Sequence, residues 1–134
     1  MSKLTAEDRL DIIETIAIYS RAIDEPRWDD LPGLFAPDGT LDCGPLGQYQ
    51  GTEGIAQFAA MLKSIGQMMR HYTTNITISG EGDRARTHVY VLALVGPGPG
   101  KLQPTTGFYE DEMVKCAGRW LFQSRKVLLD MPRG

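Results

Sequence analysis

Asp24 and His71 carry most of the chemistry this sequence offers. At 100° per residue, Leu10, Ile13, Ala17 and Ser20 share one stripe of a helix, and Asp24 continues it. The carboxylate is therefore expected to point inward from the last helical turn. It needs a partner there, because burying an unpaired charge is costly. The chain has two histidines, and His71 stands in the polar run Arg70-His71-Tyr72-Thr73-Thr74-Asn75. An aspartate that bonds one imidazole nitrogen fixes the tautomer and leaves the other free as a general base. Such a base contributes roughly 10²–10⁴-fold in rate. Spacing alone leaves other readings open: Asp24 as a helix or turn cap with His71 on the surface, or the two as part of a metal site.

Other motifs are weaker. No HExxH or CxxC is present, which leaves little for zinc, so no metal and no cofactor is expected. Gly96-Pro97-Gly98-Pro99-Gly100-Lys101 lacks the spacing of a phosphate loop, Leu102 stands where Ser or Thr is needed, and its prolines donate no N–H. It reads as a flexible loop. No GxSxG elbow supports a serine hydrolase. Cys43 and Cys116 are isolated and read as reduced thiols.

The elements that must position the pair follow from periodicity. A first helix is expected from Thr5, its cap, to about Ile23, with Ile12, Ile16, Tyr19 and Ile23 as a second apolar stripe and deep packing on both. Pro26 ends it. A short helix is expected over Trp28 to Leu34, a turn at Ala36-Pro37-Asp38-Gly39, and a strand from Thr40 to Cys43. Thr52 should cap a third helix, Glu53 to Ile65, closed by Gly66. Strands are expected over Arg70–Ser79, Arg84–Val95, Thr105–Lys115 and Trp120–Leu129, with Arg125 and Lys126 as ordinary solvated strand charges.

Helices first and antiparallel strands afterwards make an α+β order, expected as a curved sheet wrapped around a pocket by N-terminal helices. At 134 residues one domain over 1–134 is expected. The 42% hydrophobic and 23% charged composition argues against disorder, and the net charge of −3 gives no reason to expect nucleic acid. No stretch approaches about 18 apolar residues, so no membrane association and a cytoplasmic location are expected.

Several blocks resemble SnoaL-like proteins. They are Tyr19-Ser20-Arg21-Ala22-Ile23-Asp24, Trp28-Asp29-Asp30-Leu31, Leu34 to Gly39, Gly51-Thr52-Glu53-Gly54-Ile55, Arg70 to Asn75, Gly107-Phe108-Tyr109-Glu110-Asp111-Glu112 and Gly118-Arg119-Trp120. They occur in that family's order over nearly the whole chain. The resemblance implies the cone-shaped roll of nuclear transport factor 2, ketosteroid isomerase and polyketide cyclases. Its pattern is most similar to the branch of scytalone dehydratase, hexachlorocyclohexane dehydrochlorinase and bile acid 7α-dehydratase, which implies an Asp24–His71 dyad.

The resemblance also implies a cofactor-independent dehydratase or lyase acting on a small cyclic or polyketide-like compound, held as a small hydrophobic or aromatic-like ligand. Tyr19 precedes Asp24 by five residues, as a catalytic tyrosine does in the bile acid enzyme, but about 140° of helix rotation leaves a core role equally open. His88 falls where scytalone dehydratase has a second active-site histidine, and an ordinary strand histidine is the alternative. Tyr49, Tyr90, Leu92, Phe108, Met61 and Met68 are candidates for the pocket wall. Ile23, Cys43 and Leu129 depart from the relatives' tyrosines and arginine, which argues against their substrates. A cyclase, a ketosteroid-type isomerase and a non-catalytic binding or scaffold protein stay open as alternatives. Family members pair through the open sheet face, which implies a homodimer or homotrimer.

Overall fold

Thr5 begins the first helix with a reciprocal capping box. Its hydroxyl accepts from the Asp8 N–H at 2.9 Å, and the Asp8 carboxylate accepts from the Thr5 N–H at 3.0 Å. This helix, α1, runs Ala6–Asp24. The computed structural model describes residues 2–130; Met1 and 131–134 of the expected domain lie outside the described residues.

After α1 the chain makes two short 3-10 turns, Trp28–Asp30 and Pro32–Leu34, instead of one helix. Pro32 divides them, because its ring supplies no N–H to continue the first turn. Strand β1 takes Phe35–Asp42 and absorbs the expected turn at Ala36–Gly39, where its pairing shifts register between Phe35 and Thr40. A 3-10 turn at Gly44–Leu46 leads to β2, Gln48–Gln50. Helix α2 covers Gly51–Ile65, with Gln50 rather than Thr52 at its N-cap and no side-chain cap. Gly66, at φ 67°, closes it in the left-handed conformation glycine adopts cheaply. Strands β3 (Met68–Glu81), β4 (Arg84–Gly96), β5 (Gln103–Cys116) and β6 (Arg119–Leu129) complete the chain.

The six strands found among the described residues form one open sheet in the order β2-β1-β6-β5-β4-β3. Neighbours are antiparallel except β1 and β6, so the sheet is mixed. Helix α1 packs on β3 and β6, and α2 on β1 and β2, giving an α+β cone. Only one of the two stripes on α1 is buried. Ile12, Ile16, Tyr19 and Ile23 enter the core, whereas Leu10 and Ile13 are 67% and 40% exposed. The sheet covers one side of α1, and among the described residues the Leu10–Ile13 side is left exposed.

Two features shape the cone. A register shift in β3 between Thr74 and Thr77 contains Asn75 at φ 53°, a conformation Asn tolerates better than most residues. Met69 and His71 face inward before it, and Ile76 and Ile78 pack on the core after it. The narrow end is closed by Asp8, which accepts from the Trp120 indole at 3.0 Å and from Lys115 Nζ at 3.1 Å. The Thr15 hydroxyl donates to the Trp120 carbonyl at 2.8 Å, tying α1 to β6.

Candidate active site

Asp24 is the last residue of α1, where the helix dipole disfavours a carboxylate. Its surroundings compensate. One oxygen accepts the His71 backbone N–H at 2.6 Å and the other lies 2.6 Å from His71 Nδ1. The side chains of the pair are only 8% and 12% exposed. When the carboxylate is ionised and the imidazole neutral, this contact assigns the proton to Nδ1 and leaves the Nε2 lone pair free. The helix end is held independently: the Trp28 indole donates to the Ile23 carbonyl at 3.2 Å, and Arg70 donates to the Asp24 carbonyl at 3.3 Å. Asp24 reaches inward although Leu10, Ile13 and Ala17 of the stripe that suggested it are exposed and only Ser20 is buried.

His71 lines a cavity of about 350 Å³ between the helices and the concave sheet face. Its wall is largely hydrocarbon, with Ile23, Phe58, Met61, Met69, Val91 and Val127 among the contributors, and Leu46, Ile65 and Leu129 stand at an exposed rim. The polar groups on the wall are few: His71, Tyr19, Tyr109, Thr105, Gln67 and the Cys43 thiol. Burial pushes that thiol up to about 12. Among the described residues no group of three His, Cys, Asp or Glu side chains could hold a metal ion.

Of the residues expected here, Asp24, His71, Tyr19 and Met61 converge on this cavity or its edge. The others do not. His88, Tyr90, Leu92 and Phe108 point to the opposite, outer face, where His88 stacks on Phe108 at 4.8 Å and Tyr90 is 51% exposed. Strand alternation explains the correction: Ala85, Thr87, Val89 and Val91 are the buried parity of β4, and small or branched side chains suit a concave face under a helix. Met68 has the wrong parity, and Met69 lines the cavity in its place. Tyr49 lies behind the wall, its ring 5.2 Å from Phe58 and its hydroxyl donating to the Leu46 carbonyl. Two wider hollows lie on the outer face, one lined mainly by polar strand residues and the other bordered by His88, Tyr90, Leu92 and Phe108; neither includes Asp24 or His71.

Sequence reasoning missed Tyr109 and Arg125. Arg125 is not a solvated charge: its side chain and that of Asp111 are both 0% exposed. Nε and Nη2 donate to the two Asp111 oxygens at 2.8 and 3.1 Å, and Thr87 donates to Asp111 at 2.8 Å. Burial opposes the guanidinium charge, but Asp111 outweighs it and pushes the Arg125 pKa up. The guanidinium stacks on Tyr109, Phe122 and Tyr19 at 3.8, 4.2 and 4.4 Å from their centroids. Burial raises both phenols, Tyr109 to about 12, with Arg125 pulling the other way. Both are therefore neutral donors near pH 7. Arg125 Nη1 has no hydrogen-bond partner among the described residues. The signal was legible: on β5, Asp111 shares the inward parity of Gly107, Tyr109 and Met113, and it pairs with Arg125.

Comparison with known proteins agrees with this architecture. An uncharacterized protein of Mycobacterium tuberculosis, Rv2910c, is 29% identical over 123 residues, covering 90% of this chain and 84% of that protein. A crystal structure of a Nostoc punctiforme protein of unknown function with a cystatin-like fold superposes with a TM-score of 0.84 at 26% identity, covering 96% and 95% of the two chains. A putative scytalone dehydratase from Novosphingobium aromaticivorans superposes at 0.83 with 22% identity, covering 92% and 85%, a likeness of fold. The sequence model of the SnoaL-like domain matches residues 4–126, and the chain belongs to that family.

Proposed function

We propose that the protein is a cofactor-independent lyase of the dehydratase type, with His71 as general base and Asp24 as the residue that orients it. The observation that carries this reading is the two-point grip of Asp24 on His71, at 2.6 Å to the backbone nitrogen and 2.6 Å to Nδ1, beside a largely apolar cavity. The substrate is a small cyclic or polyketide-like compound with a C–H made acidic by a neighbouring carbonyl. His71 Nε2 takes that proton, the C–H electron pair becomes the new C=C bond, and the C–O bond to the leaving hydroxyl breaks. The imidazolium returns the proton to the departing oxygen, which leaves as water. A cavity of about 350 Å³, near the low end of ordinary ligand sites, suits a compact skeleton.

The test is turnover of cyclic β-hydroxy ketones followed by the enone absorbance. The wild-type protein is expected to dehydrate at least one, and His71→Ala to be slower by roughly 10²–10⁴-fold. Exchange of the acidic proton without loss of water would mark the cyclase or isomerase alternative. Normal turnover by His71→Ala would overturn the mechanism. The outer sheet face, with Tyr72, Tyr90 and Leu92 exposed, supports pairing of two or three copies, and a sedimentation measurement returning only monomer would overturn that reading.

A further inference from the structure

Inward side chains form rows across the sheet, and the cavity's polar groups stand at two depths. His71, Ala93 and Thr105 make one row, Val91 and Gly107 the next, and Val89, Tyr109 and Val127 the one below. At backbone level His71 and Tyr109 are thus two strands and two rows apart, about 10 Å across and about 13 Å along. Their side chains converge from a concave face on one cavity. Tyr109 lines the same cavity as His71, and the charge of Asp24 acts on its hydroxyl. The cavity therefore has a base nearer its rim and a pair of neutral phenols, Tyr109 and Tyr19, at its inner end.

Of the two phenols, Tyr109 lies nearer the buried cation. The Arg125 guanidinium lies 3.8 Å from its ring centroid and is pinned by two hydrogen bonds to Asp111, itself fixed by Thr87. A cation over the ring face draws electron density from the ring and makes the O–H a stronger donor. We propose that Tyr109 is a second catalytic residue, donating a hydrogen bond to a substrate oxygen at the inner end of the cavity, with Arg125 as the positioning residue that holds and polarises it.

This rests on the reading of His71 as base and narrows the substrate to an apolar skeleton carrying an oxygen a few bonds from its acidic C–H. As His71 Nε2 takes the proton, the C–H pair forms a C=C bond to the carbonyl carbon and the C=O π pair moves onto the oxygen as an enolate. Tyr109 stabilises that oxygen and keeps its own proton. Collapse of the enolate then forms the product C=C and breaks the C–O bond, the hydroxyl leaving as water with the proton from the imidazolium.

Two probes test it: 2-tetralone, which has a carbonyl, and tetralin, the same skeleton without one. Calorimetry gives the affinity ratio of ketone to hydrocarbon, and infrared spectroscopy gives the carbonyl stretch of bound 2-tetralone. The wild-type protein is expected to prefer the ketone and to lower its stretching frequency. Tyr109→Phe, which keeps the ring on Arg125, should cut the ratio about tenfold and abolish the band shift. The triple variant Arg125→Met, Asp111→Leu, Thr87→Val, which removes the polar cluster together, should shrink the band shift with Tyr109 still present. A full shift in Tyr109→Phe, an unchanged ratio, or binding of tetralin but not 2-tetralone would overturn the proposal. Binding of neither probe would overturn it together with the cavity reading. The base reading fails separately, through normal turnover by His71→Ala.

Discussion

Replacing Arg125 with methionine should be one of the most damaging single changes in this protein. The substitution keeps much of the side-chain volume but leaves Asp111, 0% exposed, as a buried carboxylate holding only the Thr87 hydroxyl. Breaking a buried pair from one side costs about 3–5 kcal/mol. Unfolding entropy of about 2.1 cal/mol/K per residue gives about 0.28 kcal/mol/K for 134 residues, so Tm should fall by about 11–18 °C. Lost stacking on Tyr19, Tyr109 and Phe122 adds to this. The triple variant Arg125→Met, Asp111→Leu, Thr87→Val leaves no polar atom of this cluster unpaired and should recover most of the loss, because apolar replacement of a buried pair is often neutral. Urea titration and thermal melts by circular dichroism read both. A loss below about 1 kcal/mol in Arg125→Met, or a triple variant as unstable as the single one, would refute the reasoning.

Two further outcomes follow from particular contacts. A Cβ at Gly107 would lie 2.4 Å from the Leu128 carbonyl oxygen and 2.9 Å from the Leu129 Cα, so Gly107→Ala must push β5 from β6. Overpacking of this kind costs about 1–3 kcal/mol, whereas Gly98→Ala, with nothing within 4 Å, should change Tm little; equal melts would contradict this. Asp8 is held far below the usual carboxylate range by the Thr5 N–H first, then by Trp120 and Lys115. Because its folded pKa is depressed, its stabilisation is present above the unfolded value of about 3.9 and is lost as pH falls below it. Asp8→Asn should therefore lose stability less steeply than wild type below about pH 4, and parallel Tm–pH curves would argue against this.

The order of elements was legible because strand and helix periods change cleanly along the chain. What sequence could not give was the choice of face. The Leu10–Ile13 stripe looks as apolar as the Ile12–Ile16 stripe, and only the position of the sheet decides between them. On β4 the aromatic parity, His88 and Tyr90, attracted attention as chemistry, yet the plain Val89 and Val91 parity faces the cavity. Scarcity of histidine and a carboxylate aimed inward only suggested the Asp24–His71 pair; spacing left a helix cap and a surface histidine open, and the resemblance to SnoaL-like proteins implied the dyad. Arg125 was hidden because a single charged strand residue reads as solvated until its partner on the next strand is identified. Pro37 and Gly39 read as a turn, although an irregular parallel pairing can hold both within a strand.

The central claim, that His71 oriented by Asp24 removes a proton from carbon, is tested most directly by hydrogen–deuterium exchange. Exchange of the C1 protons of 2-tetralone in D₂O, followed by NMR, requires a base in the cavity and no knowledge of the natural substrate. The wild-type protein should exchange them well above the buffer rate, Asp24→Asn at least about tenfold more slowly, and His71→Ala at the buffer rate. Exchange by His71→Ala at the wild-type rate would contradict the account.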